Sequence, residues 1–220
     1  MEGTDIYLDT LVKVADADAV TAANMTLTLD YDGAGQTYKE STYTFDLSSV
    51  ELNPNTEDVK VLVAYFSATN NTEGVAKKIA NGIKADLYEI VPEVPYTSAD
   101  LNYNNSDSRA NKEMNDPSCR PAISGSVENM EQYDIVFIGY PIWWGQAPKI
   151  IYTFMESYDF SGKTIVPFCT SASSGVGSSA TNLQPLANNA VWIPGKRFSG
   201  GASQNTIMEW VKSLGLNLGE

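Results

Sequence analysis

From Val59 onward, short apolar runs alternate with segments of helical period, the pattern of a parallel sheet covered by helices on both faces. Val61-Leu62-Val63-Ala64-Tyr65-Phe66 is the first run, and Leu87 to Val91, Ile135 to Tyr140, Thr164 to Thr170 and Val191 to Pro194 follow. Strands buried on both faces read as continuous apolar runs rather than as alternation. Between them, Val75, Ile79 and Ile83 share one helix face, Pro148 opens a helix carrying Ile150, Ile151 and Phe154, and Ile207, Trp210, Val211 and Leu214 line the last. A weaker helix is expected between Ser178 and Asn188, interrupted by Pro185. These segments give five strands and at least four helices.

Residues 92–129 fit no element well, apart from a helical patch around Arg109 to Met114, and a loop of this length inside a domain is functional or mobile. The first 57 residues differ in kind. Met25, Leu27, Leu29 and Tyr31 alternate with polar residues, Asp32-Gly33 marks a turn, and Tyr43, Phe45 and Leu47 alternate again, which reads as an amphipathic antiparallel hairpin. An earlier strand around Ile6 to Leu8 is expected too, with the junction at Asn53-Pro54-Asn55. The expected organisation is a β-rich extension over 1–57 and an α/β domain over 58–220.

Composition removes several kinds of chemistry. The chain has no histidine, which excludes Ser-His-Asp and Cys-His catalysis and His-ligated metals. Cys119 and Cys169 form no CxxC pair, so neither a zinc site nor a thioredoxin motif is expected. With 27 acidic and 14 basic residues the net charge is −13, which repels nucleic acid and anionic lipid. No apolar stretch is long enough to span a bilayer and no basic-then-apolar leader opens the chain. A cytoplasmic location is expected, or the cell envelope or exterior if a leader was removed.

Three loops at the carboxyl ends of strands carry the candidate chemistry, where open α/β sheets bind ligands. Ser67-Ala68-Thr69-Asn70-Asn71-Thr72 brings three hydroxyls and a run of N–H groups to a helix N-terminus, suited to a phosphate dianion. An ordinary turn capped by Thr72 has the same composition. Pro141-Ile142-Trp143-Trp144-Gly145-Gln146-Ala147-Pro148 offers flat aromatic surface on a Pro-bounded backbone, as an isoalloxazine ring requires, with one tryptophan of the pair expected to pack beneath the loop. The loop Ser171 to Ser179, with Ser174, Gly175 and Gly177, lets backbone approach a ligand closely.

Ser-x-Thr-x-Asn-Thr after the first strand, Tyr-Pro-Ile-Trp-Trp-Gly-x-x-Pro after the third and Phe-Cys-Thr-Ser-x-x-Ser-Gly-x-Gly-Ser after the fourth resemble the short flavodoxins over Val59 to Leu218. The resemblance implies a flavodoxin-like α/β sandwich, a five-stranded parallel sheet in order 2-1-3-4-5, with the N-terminal hairpin as an addition. It implies non-covalent FMN, with Ser67, Thr69, Asn70, Asn71 and Thr72 on the phosphate. Pro141, Ile142, Trp143, Trp144 and Gly145 would lie against the flavin, flanked on its other side by Thr170, Ser171, Ser174, Gly175 and Gly177. Such a flavoprotein passes electrons to a redox partner protein or a small-molecule acceptor, with no catalytic side chain of its own. The alternatives are an FMN-dependent oxidoreductase in the enzyme sense, namely an NAD(P)H-dependent quinone or flavin reductase, and a flavodoxin-fold interaction module without turnover. The chain departs from the family at Asn70, where glycine is usual, so a left-handed backbone is expected there.

Elsewhere, Arg109, Arg120 and Lys196-Arg197 read as solvated charge, with contact to a ligand as the alternative. Tyr88, Tyr96 and Tyr103 read as residues packing a loop down, with ligand stacking as the alternative.

Overall fold

The structure, a computed structural model, describes residues 23–27, 41–45 and 59–218. The chain divides into two compact units, Met1–Thr56 and Glu57–Glu220. In the first, β1 (Ala23–Leu27) and β2 (Ser41–Phe45) pair antiparallel, with Met25 opposite Tyr43 and Ala23 opposite Phe45. These two strands fall within the expected hairpin. Its turn at Asp32-Gly33, the strand at Ile6 to Leu8 and the junction at Asn53-Pro54-Asn55 lie outside the described residues.

The second unit runs β3 (Val61–Tyr65), α1 (Asn71–Ile83), β4 (Asp86–Glu89), β5 (Val91–Pro92), α2 (Arg109–Asn115), β6 (Ile123–Ser124), β7 (Ile135–Pro141), α3 (Lys149–Glu156), β8 (Thr164–Thr170), β9 (Val191–Trp192), β10 (Lys196–Phe198) and α4 (Gln204–Ser213). Its main sheet is parallel, in the order β4-β3-β7-β8-β10, with β9 beside the first half of β8. Taking β9 and β10 as halves of one fifth strand, this is the 2-1-3-4-5 order of a flavodoxin-like fold.

Alternate residues of the central strands face opposite layers. Val61, Val63 and Tyr65 of β3 and Phe137 of β7 pack with Val75 and Ile79 of α1 and Ile207 and Val211 of α4. Leu62, Ala64, Val136, Ile138 and Tyr140 pack with Ile150, Ile151 and Phe154 of α3. At Gly139 the missing side chain is required, because a Cβ would stand 2.1 Å from Phe168 Cζ, whose ring fills the space.

The fifth strand is broken, and Pro167 supplies the reason. In a parallel strand the N–H and C=O of every second residue point to the same neighbour. Ile165 accepts from Ile193 N–H at 2.9 Å, so position 167 also faces the fifth strand. Proline has no N–H to donate there. The fifth strand pairs with Thr164 and Ile165, lets go opposite Pro167, and pairs again at Phe168 to Thr170. Gly195 crosses the gap, where a Cβ would lie 3.0 Å from Pro167 O. The fifth strand therefore reaches Phe198 rather than ending at Pro194.

Two other expectations need correction. The second strand is Asp86–Glu89, and Val91 belongs instead to a two-residue ribbon with β6. It is not a doubly buried run: Leu87 is 40% exposed, because β4 is the outer strand and among the described residues pairs with β3 alone. The segment from Ser178 to Asn188 forms turns and a 3-10 turn at Gln184–Ala187 rather than an α-helix, consistent with the N–H that Pro185 lacks. No helix among the described residues is long and apolar enough to cross a membrane.

Candidate functional site

After β3 the chain is held by Phe66 N–H donating to Gly139 O at 2.9 Å, then turns through Ser67, Ala68 and Thr69 into α1. Asn70 caps that helix with φ 61° and ψ 0°, the left-handed conformation expected of it. Its side chain makes no capping hydrogen bond, so the helix N-terminus is open toward the loop. Asn71 Nδ2 donates to Thr69 Oγ1 at 3.1 Å, and the hydroxyl of Thr72 meets that of Thr170 at 2.7 Å. Both threonines are buried, at 1% and 4% exposure, so this bond ties the first loop to the third. Ser67 Oγ is buried and has no hydrogen-bond partner among the described residues. A buried hydroxyl without a partner costs about 1–3 kcal/mol, and an acceptor arriving in the loop removes that cost.

The second loop is a two-residue hairpin turn. Trp143 and Gln146 exchange both backbone hydrogen bonds at 2.9 Å, while Trp144 and Gly145 take φ of 48° and 75°. Successive positive φ values turn the two tryptophans apart. Trp143 goes inward, its ring 5.6 Å from Phe66 and 5.3 Å from Tyr96, while Trp144 is left 47% exposed. The loop is fastened by Ile142 N–H to Thr170 O at 3.0 Å, Gln146 Nε2 to Ser178 Oγ at 3.0 Å and Asn182 Nδ2 to Gln146 Oε1 at 2.7 Å.

The third loop is braced by Arg197, whose guanidinium donates to Ser171 Oγ at 3.2 Å, to Ser171 O at 2.7 Å and to Ala172 O. Arg197 is thus a structural donor rather than a solvated charge. Ser174 and Gly175 stand exposed beyond it.

A cavity of about 380 Å³ opens beside the first two loops. Ala68 and Thr69 line it from the first and Pro141, Ile142, Trp143 and Trp144 from the second, with Leu101, Tyr103 and Ala110 contributed by the long segment between β5 and β6. Ser67, Asn70, Asn71 and Thr72 surround the adjoining helix start, Gly145 shapes the turn, and Thr170 lies beneath. Ser171, Ser174 and Gly175 do not line the cavity, and Gly177 lines a separate one of about 320 Å³ with Val176 and Trp192.

Sequence reasoning missed Leu101 and Ala110 as lining residues, and gave Tyr103 a place at a ligand only as the alternative to packing its loop down. It also missed Gly200, where a Cβ would come within 2.1 Å of Asn71 Oδ1, so that the loop after β10 backs the first loop. The signal for Gly200 was the Gly200-Gly201 pair after the last strand. Arg109 serves as an internal brace rather than a solvated charge. It pairs with Glu113 at 2.6 Å, donates to Val94 O at 2.6 Å and lies 4.0 Å above the Tyr96 ring. Arg120 makes a two-pronged pair with Glu156, at 2.7 and 2.8 Å.

Among the described residues lining the cavity, Tyr103 is the one titratable side chain. Cys169, fully buried in β8, has its thiol pushed up to about 12 by burial and is inert. The described residues hold no cluster of three or more metal-binding side chains. An apolar slot beside an open helix N-terminus and an unpartnered hydroxyl can take a flat ring system that carries an anionic tail.

No match is found among curated proteins. Among solved structures, a protein from Bacteroides eggerthii described as a flavoprotein is 47% identical, with 72% of this chain and 99% of that one covered and a TM-score of 0.68. One from Bacteroides uniformis, described likewise, is 44% identical over 70% and 98% of the two chains, with a TM-score of 0.67. A flavoprotein from Lactobacillus acidophilus, solved in complex with FMN, shares the fold at 24% identity and a TM-score of 0.54, over 70% of this chain and 99% of that one. The flavodoxin family profile matches residues 60–214, and the chain belongs to the flavodoxin family.

Proposed function

We propose that the Glu57–Glu220 unit binds FMN non-covalently and works as an electron-transfer protein, and that residues 1–57 are a β-rich extension to it. The observation that carries this reading is the buried, unpartnered Ser67 hydroxyl at the open N-terminus of α1, next to an apolar aromatic cavity. The donor set suits a phosphate: the Ser67 and Thr69 hydroxyls and the first-turn N–H groups of α1 would hold it, with the helix dipole adding to the attraction. Pro141, Ile142 and Trp144 would lie along the ring and keep water from it. When bound, FMN supplies one- or two-electron transfer, and the protein sets its position and surroundings. The net charge of −13 opposes added negative charge on the cofactor and so favours a low potential. The electron donor and acceptor, protein or small molecule, would meet the cofactor at the exposed Trp144 edge. With no G-x-G-x-x-G motif in the sequence a nicotinamide would have no dinucleotide site of its own, which favours the carrier over a nicotinamide-dependent reductase.

The test is a titration of cofactor-free protein with FMN, followed by flavin fluorescence and the visible spectrum. Saturable 1:1 binding with Kd below about 1 μM, and weaker binding of riboflavin, which lacks the phosphate, are expected. Absence of binding, or equal affinity for the two flavins, overturns the proposed site.

A further inference from the structure

Among flavin-contacting loops, the resemblance assigns the far side of the ring to the loop after β8. The geometry points elsewhere: we infer that the segment between β5 and β6 supplies the outer wall of the flavin site, and that the Tyr103 ring lies against the isoalloxazine. This rests on the FMN reading above. Tyr103 lines the cavity and is 72% exposed, yet its backbone is fixed. The amide of Asn111, itself buried, donates to Tyr103 O at 3.2 Å and to Asn105 O at 2.6 Å. A largely exposed aromatic ring on a fixed backbone has much of its surface available to a ligand, at little ordering cost.

The wall is joined to the tryptophan turn as one block. Tyr96 packs its ring on Trp143 and donates its hydroxyl to Glu113 at 2.5 Å, and Arg109 closes the cluster over the Tyr96 ring. Glu113 and Asn111 both lie on α2, so the same short helix that holds Tyr103 also holds the support of Trp143. The loop after β8 is drawn the other way, toward β10, by Arg197.

The test compares the full-length chain with Tyr103→Ala and Tyr103→Phe, measuring FMN affinity, visible circular dichroism of the bound flavin and its quenching by iodide. Because the ring is exposed, both variants should fold, and far-ultraviolet circular dichroism checks this. Tyr103→Ala is expected to raise Kd roughly threefold to tenfold, change the flavin dichroism and admit iodide, while Tyr103→Phe keeps wild-type behaviour. Wild-type binding with an unchanged Tyr103→Ala overturns this inference alone. Failure of the wild type to bind FMN overturns the functional reading and this inference with it.

Discussion

The hydroxyl pair between Thr72 and Thr170 joins the start of α1 to the end of β8, and its contribution can be measured without a ligand. Each side chain is close to isosteric with valine, so Thr72→Val and Thr170→Val remove one hydroxyl with little change in volume. Either single variant leaves the other hydroxyl buried at 4% exposure or less with its partner gone, at a cost of about 1–3 kcal/mol. The double variant removes both hydroxyls and should fall within about 1 kcal/mol of wild type, because two matched apolar groups leave nothing unsatisfied. The coupling between the sites is therefore at least about 1 kcal/mol, and each single variant lowers Tm by several degrees, at roughly 2–4 °C per kcal/mol for a unit of this size. All four tryptophans, Trp143, Trp144, Trp192 and Trp210, lie in the second unit, so tryptophan emission in a urea titration follows the unfolding of that unit. Single costs that simply add in the double variant, with unchanged m-values, would refute the reasoning.

Gly200→Ala should weaken FMN binding by roughly tenfold with a stability loss of about 1–2 kcal/mol, because the new Cβ meets the Asn71 amide and its stem; fluorescence titration and urea unfolding read the two effects. Tyr133 donates to Asp86 at 2.8 Å, and burial first, then the carboxylate, push its phenol from 10.0 up to about 12. A pKa raised in the folded state means a contribution fully present below pH 10 and lost as pH rises through about 12, so the stability difference between wild type and Tyr133→Phe should shrink over that range in pH-dependent urea unfolding.

Local chemistry made some of this legible in the sequence. The runs of β3, β7 and β8 announce a doubly covered sheet because apolar residues follow one another without a polar face, and all but the end residues Pro141 and Thr164 of these strands are buried. Asn70 could be read as left-handed because it stands where the family resemblance puts a glycine, and asparagine tolerates that conformation better than most residues. The direction of each tryptophan was hidden, since it depends on Trp144 sharing positive φ with Gly145, and a bulky residue is not expected there. The preferred reading of Tyr103, a ring packing its loop down, fails because nothing local foretells a ring left 72% exposed on a backbone whose carbonyl is tied to Asn111, a residue eight positions later. Pro167 and Pro194-Gly195 were both visible in the sequence, but the broken strand emerges only when the register sets Pro167 facing the gap.

The broken fifth strand also bears on self-association. The outer strand of a sheet is a template on which further chains can polymerise, and its hazard grows with uninterrupted length. Among the described residues the fifth strand forms one such margin, and it comes in pieces of two and three residues, too short to seed a growing ladder. At the opposite margin β4 has only four residues and carries Asp86 and Glu89. A single proline inside β8, by loosening its neighbour, makes one rim of this acidic protein a poor nucleus for aggregation.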